Sequence, residues 1–250
     1  MEYTLDERIM RIWDYENVRK TMHRLAYFIS NEDRRRALRE LWVATPDNME
    51  TASLGYNTGY YVGMDEITRH FILDRSEELY DNLKARSEES SDVDFSNRNL
   101  GYGCATIMTL NTPVIKISGD GRYARFLGYS PGFTSVGATE GKANSYFTLD
   151  SVYADLVKEG DEWRIWHLVF VHDHTMEIGE DYGSLPVLGW EDPLNKTFGD
   201  PTVKQTVYDP LFGWEHVYED MPRAFYTYCD KGGYGPNGDL GKPYYDRRTH

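Results

Sequence analysis

Apolar residues recur every three or four positions through the first third of the chain and alternate one by one through its middle. This change of rhythm near residue 103 constrains the fold more than any other feature, because a helix period and a strand period cannot serve the same element. Ile9, Ile12, Trp13, Val18, Met22, Leu25 and Ile29 predict a helix over 7–29. Leu38, Leu41 and Trp42 point a second helix inward over 32–42, and Asn31, Glu32 and Asp33 suit its start. Ile67, Phe71, Ile72 and Leu79 predict a third over 64–82. Between them, 45–63 reads as loop and short strand, and 85–99 as a polar loop. Alternation then predicts strands over 104–118, 122–130, 143–158 and 162–173, separated by glycine- and proline-containing turns. Helices first and strands afterward predict an α+β fold, with N-terminal helices on a curved mixed or antiparallel sheet.

Past residue 178 the pattern is lost, and 179–250 is rich in tyrosine, tryptophan and proline. We read 1–178 as the folded domain. The remainder reads as an arm on the same or a neighbouring subunit, anchored by Trp190, Trp214, Tyr244 and Tyr245. Within the arm only 203–208 and 221–229 look regular. Lys and Arg number 27 against 41 Asp and Glu, a net charge of −14. Such a chain repels phosphate backbones, so nucleic acid is excluded as an expected partner. No apolar run approaches the ~20 residues of a membrane helix. The first ten residues are acidic and lack a signal-peptide pattern. Cys104 and Cys229 make no disulfide framework. A cytoplasmic location is the expectation. No nucleotide-binding, metalloprotease or nucleophile-elbow motif occurs, so no cofactor is expected.

The segment PVIKISGDG (113–121), the strand after it and YADLVKEGDEWRIWH (153–167), with the opening helices around Tyr27, resemble the nuclear-transport-factor-two-like superfamily, SnoaL-like group. The resemblance covers roughly 7–174. It implies a cone, with helices closing a deep apolar pocket on a curved sheet, and association as a homodimer or homotrimer. The family's dehydratases commonly use a Tyr and an Asp from the first helices and a His from the first long strand. Tyr27 matches. Ser30 stands near the expected carboxylate, with Glu32 the nearest acid, and Met108 stands where the strand His belongs. The usual apparatus is therefore incomplete, and the fold hosts many chemistries.

Candidate residues follow from shared faces. His23, Tyr27 and Ser30 share one helix face, and a pocket there would make Tyr27 a proton donor or acceptor. Tyr153 and Asp155 share one strand face against apolar Val152, Ala154 and Leu156. Asp155, buried in a cone, would have a raised pKa suited to acid–base work. Alternation groups His167 with Trp163 and Ile165, and His172 with His174, Trp166 and Phe170. His172 and His174 form a His-x-His pair with metal-ligand chemistry and Asp173 is adjacent, but no third ligand is indicated, so no metal is expected. His167 reads equally as a catalytic or a core histidine, and His70 on the third helix is a further catalytic candidate. Thr106, Met108, Asn144, Tyr146 and Phe170 are candidates for lining the same cavity. Arg122 and Arg125 read mainly as surface charge.

The resemblance implies a cofactor-independent lyase for a hydrophobic hydroxylated aromatic or polycyclic molecule. One version resembles the bacterial diarylpropane γ-formaldehyde lyases, which act on lignin-derived dimers through a quinone methide. The alternatives are a dehydratase or isomerase of a steroid- or polyketide-like substrate, and a non-catalytic binding or assembly protein.

Overall fold

A computed structural model of the protein describes residues 3–56, 59–74, 84, 88, 105–136, 144–179, 201–204 and 222–238. Helix α1 runs Leu5–Ser30, α2 Arg34–Leu41 and α3 Pro46–Thr51. A hairpin, β1 Ser53–Tyr56 and β2 Gly59–Val62, leads to α4 Met64–Thr68, which continues as a π-helical turn Arg69–Asp74. Then come β3 Ala105–Ile107, β4 Asn111–Ile117, β5 Tyr123–Val136, β6 Asn144–Glu159, β7 Glu162–Glu177 and β8 Val203–Lys204. The sheet order is β3-β5-β6-β7-β1-β2-β8, with β4 also on β5. The β1–β7 pair is parallel and the other ladders are antiparallel, so the sheet is mixed. It is curved and unclosed, with helices packed against it, as the α+β expectation held.

Local chemistry explains the helices. Thr4 caps α1 in a reciprocal box: the Glu7 N–H donates to the Thr4 hydroxyl and the Thr4 N–H to the Glu7 carboxylate. The short α3 was expected as loop, but Pro46 at its first position and Thr45 before it preset the turn. The Glu159 carboxylate at the end of β6 accepts from Ala44 N–H, Thr45 N–H and the Asn48 amide. Burial pushes its pKa up, but these bonds prevail and hold it below the usual value. The expected strand 104–118 breaks at 108–110 into β3 and β4. Residues 222–229 lie extended without a strand or helix of their own, contrary to the regularity expected over 221–229. Instead Gly119 and Asp120 donate their N–H groups to Phe225 and Tyr226. The expected helix residues after Asp74, the 85–99 loop apart from Glu88, and the anchors Trp190, Trp214, Tyr244 and Tyr245 lie outside the described residues.

The main core lies between α1 and one face of the sheet, here the inner face. Val18, Met22, Leu25, Phe28 and Ile29 meet Phe126, Val152, Ala154, Leu156, Leu168 and Phe170, all buried. Each fully buried aliphatic side chain contributes about 1.5–3 kcal/mol by transfer from water. Buried Asp14 ties helix to sheet by accepting from Lys158 Nζ at 2.8 Å and Trp163 Nε1 at 2.9 Å. The first half of α1 departs from the predicted pattern. Ile9, Ile12 and Trp13 are 54%, 66% and 64% exposed. Apolar spacing marks a face, and this helix has two.

A candidate active site on the inner sheet face

Two bulges in the β6–β7 ladder decide which side chains meet. Register shifts lie between Asp155 and Leu156 and between Leu149 and Asp150. Trp166 and Asp173 are the extra residues on β7. Each bulge reverses the alternation, and the two cancel. Only the stretch 167–172 is therefore inverted relative to both ends of the strand. Ile165 pairs with Leu156 on the inner face, while His167 pairs with Asp155 on the outer face. His172 pairs with Asp150 on the inner face, while His174 pairs with Leu149 on the outer. The groupings expected from strict alternation, His167 with Ile165 and His172 with His174, are both overturned. Among the described residues no three His, Cys, Asp or Glu side chains gather as a metal site.

Away from the Lys158–Asp14 pair, the inner face carries a carboxylate–imidazole pair. Asp150 Oδ1 lies 2.8 Å from His172 Nδ1, with the two side chains 13% and 26% exposed. Around it stand aromatic rings. Tyr56, at the end of β1, stacks on His172 at 6.0 Å and on Phe170 at 5.8 Å between centroids. His70, in the π-helical turn and 2% exposed, stacks on Tyr61 at 3.9 Å and meets the Tyr56 ring edge at 5.3 Å. A π-helical turn is an uncommon way to seat a side chain and often marks functional positions. Thr106 and Tyr146 occupy inner-face register positions on β3 and β6. Asn144 is described here only as the residue paired with Val136. Met108 is packed against the same core, and its N–H donates to the Ser30 hydroxyl at 2.9 Å, so Ser30 pins α1 to the sheet edge. Of the expected site residues, His70 and Phe170 join this ring cluster through Tyr56, and Thr106, Tyr146 and Met108 lie on the same side of the sheet. Asp150, His172, Tyr56 and Tyr61 were missed. The alternating run Asn144, Tyr146, Thr148 was a usable signal, since its next member is Asp150.

Five expected site residues lie elsewhere. Tyr27 is 67% exposed and His23 is exposed, because the α1 face they share points away from the sheet. They line a shallow external cleft of about 520 Å³ with Arg19, Lys20, Arg24 and Arg36. Asp155 and His167, with Tyr153, face outward from the sheet. The apolar side of β6 faces the helix and its Tyr–Asp side lies under residues 222–238. There Asp155 is 1% exposed and accepts the Tyr234 N–H at 2.5 Å. The Arg125 guanidinium, read as surface charge, is also buried, with Nε 3.6 Å from Asp155 Oδ1 and its centre 4.3 Å over the Phe225 ring. His167 Nδ1 lies 2.9 Å from the Ser53 hydroxyl, and its ring stacks on Trp166. A side-chain carbon on Gly235 would stand 3.0 Å from that ring, so glycine lets the backbone lie directly on it. Burial pushes the Asp155 carboxyl up to about 7, against the pull of the Tyr234 N–H and Arg125. Burial holds His167 neutral, down to about 3. Asp173, which accepts the Ser151 hydroxyl at 2.6 Å, is pushed by burial up to about 6. Burial likewise raises the Tyr228 phenol.

No protein-family model matches the chain, and no curated protein does. The chain is similar to several solved structures. An NTF2-like protein with a cystatin-like fold from Novosphingobium aromaticivorans is 17% identical, with 67% of this chain and 87% of that one covered, at a TM-score of 0.43. A hexachlorocyclohexane dehydrochlorinase of LinA type 3 from Novosphingobium barchaimii is 9% identical over 72% and 97% of the chains, at 0.44. A protein from Kribbella flavida is 10% identical over 66% and 95%, at 0.47.

Proposed function

We propose that the chain is a cofactor-independent lyase that removes a small neutral fragment from a hydrophobic hydroxylated aromatic molecule. The carrying observation is the His172–Asp150 pair, 2.8 Å apart and partly open on an otherwise apolar, ring-lined face. Asp150 accepts the Nδ1–H, which fixes the tautomer and leaves the basic lone pair on Nε2. His172 then takes the substrate proton. Tyr56 and Phe170 hold the ring by stacking. His70, between Tyr56 and Tyr61, returns a proton to the departing oxygen.

The finer version concerns a 4-hydroxyaryl propane-1,3-diol. Proton donation by His70 expels the benzylic hydroxyl as water while the 4-hydroxyl proton is lost to solvent, leaving a neutral quinone methide. The proton freed from the terminal hydroxyl in the next step is matched by reprotonation of the phenolate. Deprotonation of the terminal hydroxyl by His172 then breaks the adjoining carbon–carbon bond and releases formaldehyde. A stilbene remains, with no net oxidation. Incubating the protein with such a diol and weighing the products tests this. Formaldehyde with a stilbene, reduced about 10²–10⁴-fold in His172→Gln, supports the full proposal. Loss of water alone keeps the lyase and moves the substrate to a dehydratase type. Binding of aromatic diols, hydroxysteroids and polyketide-like phenols without change in any of them would remove the lyase in favour of a binding protein.

A further inference from the structure

We propose that the outward face of α1 is a self-association surface, pairing antiparallel with the same face of a second copy about a two-fold axis near Ile12 and Trp13. The helix has 26 residues, and its buried side is Val18, Met22, Leu25, Ala26, Phe28 and Ile29. The opposite side is a continuous stripe at helical spacing: Leu5, Ile9, Ile12 and Trp13, then Glu16, Lys20, His23 and Tyr27. A helix that is apolar all round is one buried all round. Leu5, Ile9, Met10, Ile12 and Trp13 are each more than half exposed, from 53% to 72%. They are not a fraying end. The capping box holds the first turn, and the Arg11 guanidinium donates to the carbonyls of Ile117 at 2.9 Å and Ser118 at 3.0 Å.

Large side chains present roughly 150–250 Å² each when free, so these five leave on the order of 500 Å² of contiguous apolar surface. That is more than half of the ~800 Å² each partner gives to a stable interface. The charge pattern says which partner fits. The first turn of α1 is acidic, with Asp6 and Glu7. The fifth and sixth turns carry Arg19, Lys20 and Arg24 beside the external cleft, with Arg19 also paired to Glu16 and Arg24 to Glu40. An antiparallel pair centred on Ile12 and Trp13 lays Asp6 of one copy beside Arg19 and Lys20 of the other, twice by symmetry. A parallel pair would set Asp6 against Asp6. An isologous contact of this kind closes on itself and needs no second patch. On the outer sheet face, Leu127, Tyr153, Val169 and Val171 are already buried with Tyr234 against them, and the exposed apolar side chains there, Ile107 and Phe147, lie at the far end of the strands.

Sedimentation equilibrium of the full chain tests the interface. The expected wild-type mass is twice 29.0 kDa. Ile12→Glu with Trp13→Glu should run as a monomer, its dissociation constant raised about 100-fold or more, with unchanged far-ultraviolet dichroism because both residues are exposed in one copy. Asp6→Lys should weaken association about tenfold, and adding Arg19→Glu and Lys20→Glu in the same chain should restore it. A wild-type monomer at ~100 μM, far above micromolar affinity, would overturn the proposal. So would an oligomer indifferent to the double glutamate variant, which would place the contact on another surface. A monomer whose Trp13 is shielded from a soluble quencher would assign the stripe to the chain's own remaining residues and overturn it too.

Discussion

The two faces of one sheet treat titratable groups in opposite ways. On the inner face, Asp150 and His172 lie at the edge of an apolar core and keep part of their surface open. On the outer face, Asp155, His167 and Arg125 are packed under backbone from residues 225–235, each less than a tenth exposed. Strands β6 and β7 supply a carboxylate–histidine neighbour pair to each face, Asp150↔His172 and Asp155↔His167. The residue types are the same, and only their cover differs. Open, paired groups can exchange protons with a ligand. Sealed groups spend the same chemistry on holding a chain segment in place.

The largest expected effect breaks the outer face alone. Asp155→Ala leaves the Tyr234 N–H buried without its acceptor and the Arg125 guanidinium buried without its neighbouring carboxyl, and should cost about 3–5 kcal/mol in urea unfolding. His172→Ala is the inner counterpart. Its stability should change by less than about 1 kcal/mol, while turnover of any accepted substrate falls about 10²–10⁴-fold. Equal stability losses in the two variants would erase the contrast. Next is Gly235→Ala. The added carbon meets an imidazole that Trp166 holds from its other side, so it should destabilise by about 1–2 kcal/mol. Amide exchange should quicken in 228–235 and stay unchanged around His172.

The pH dependence sharpens the comparison further. Asp155 and Asp173 have folded pKa values of about 7 and about 6, raised from the usual carboxylate range. Their stabilising contribution is complete at acid pH and is lost as pH rises through those values. His167, lowered to about 3, contributes above its ordinary value near 6.5 and loses that as pH falls. From about pH 5 to 7 the two carboxyls oppose one imidazole, so the unfolding midpoint should fall with rising pH and level above about 7. In Asp155→Asn that fall should vanish or reverse, and an unchanged slope would show that the carboxyl does not take up its proton on burial. The smallest expected effect is at the position the family resemblance favoured. Tyr27→Phe should change stability by no more than about 0.5 kcal/mol and leave turnover intact.

Much of the fold was legible because it is local. Helix α1, the long strands and the α+β order all follow from spacing between neighbours in sequence. Three things were not. Helix α3 is shorter than two turns, so no period exists to read, although Thr45-Pro46-Asp47 is a start signal. The bulges have no residue signature, since Trp166 and Asp173 are ordinary strand residues until the partner strand is known. The outer cluster joins Asp155 to Tyr234, 79 positions apart. Its evidence in the sequence was the run Gly232-Gly233-Tyr234-Gly235, a stretch with little side chain to keep it off a surface. The candidate site shows the same division. His70 was singled out by its place on the third helix and Phe170 by its strand face, whereas His172 was placed with the wrong neighbour because alternation was carried across a bulge.

The strap over the outer face also sets an order of events during synthesis. Asp155 and His167 leave the ribosome long before residues 225–235, so the β6–β7 ladder can form while that face is still wet. In water Asp155 is ionised at neutral pH, and on burial its pKa rises to about 7. Closing the strap therefore draws a fraction of a proton from the solution around it. Closing that strap is in part an acid–base reaction, and its extent is set by the pH at which it happens.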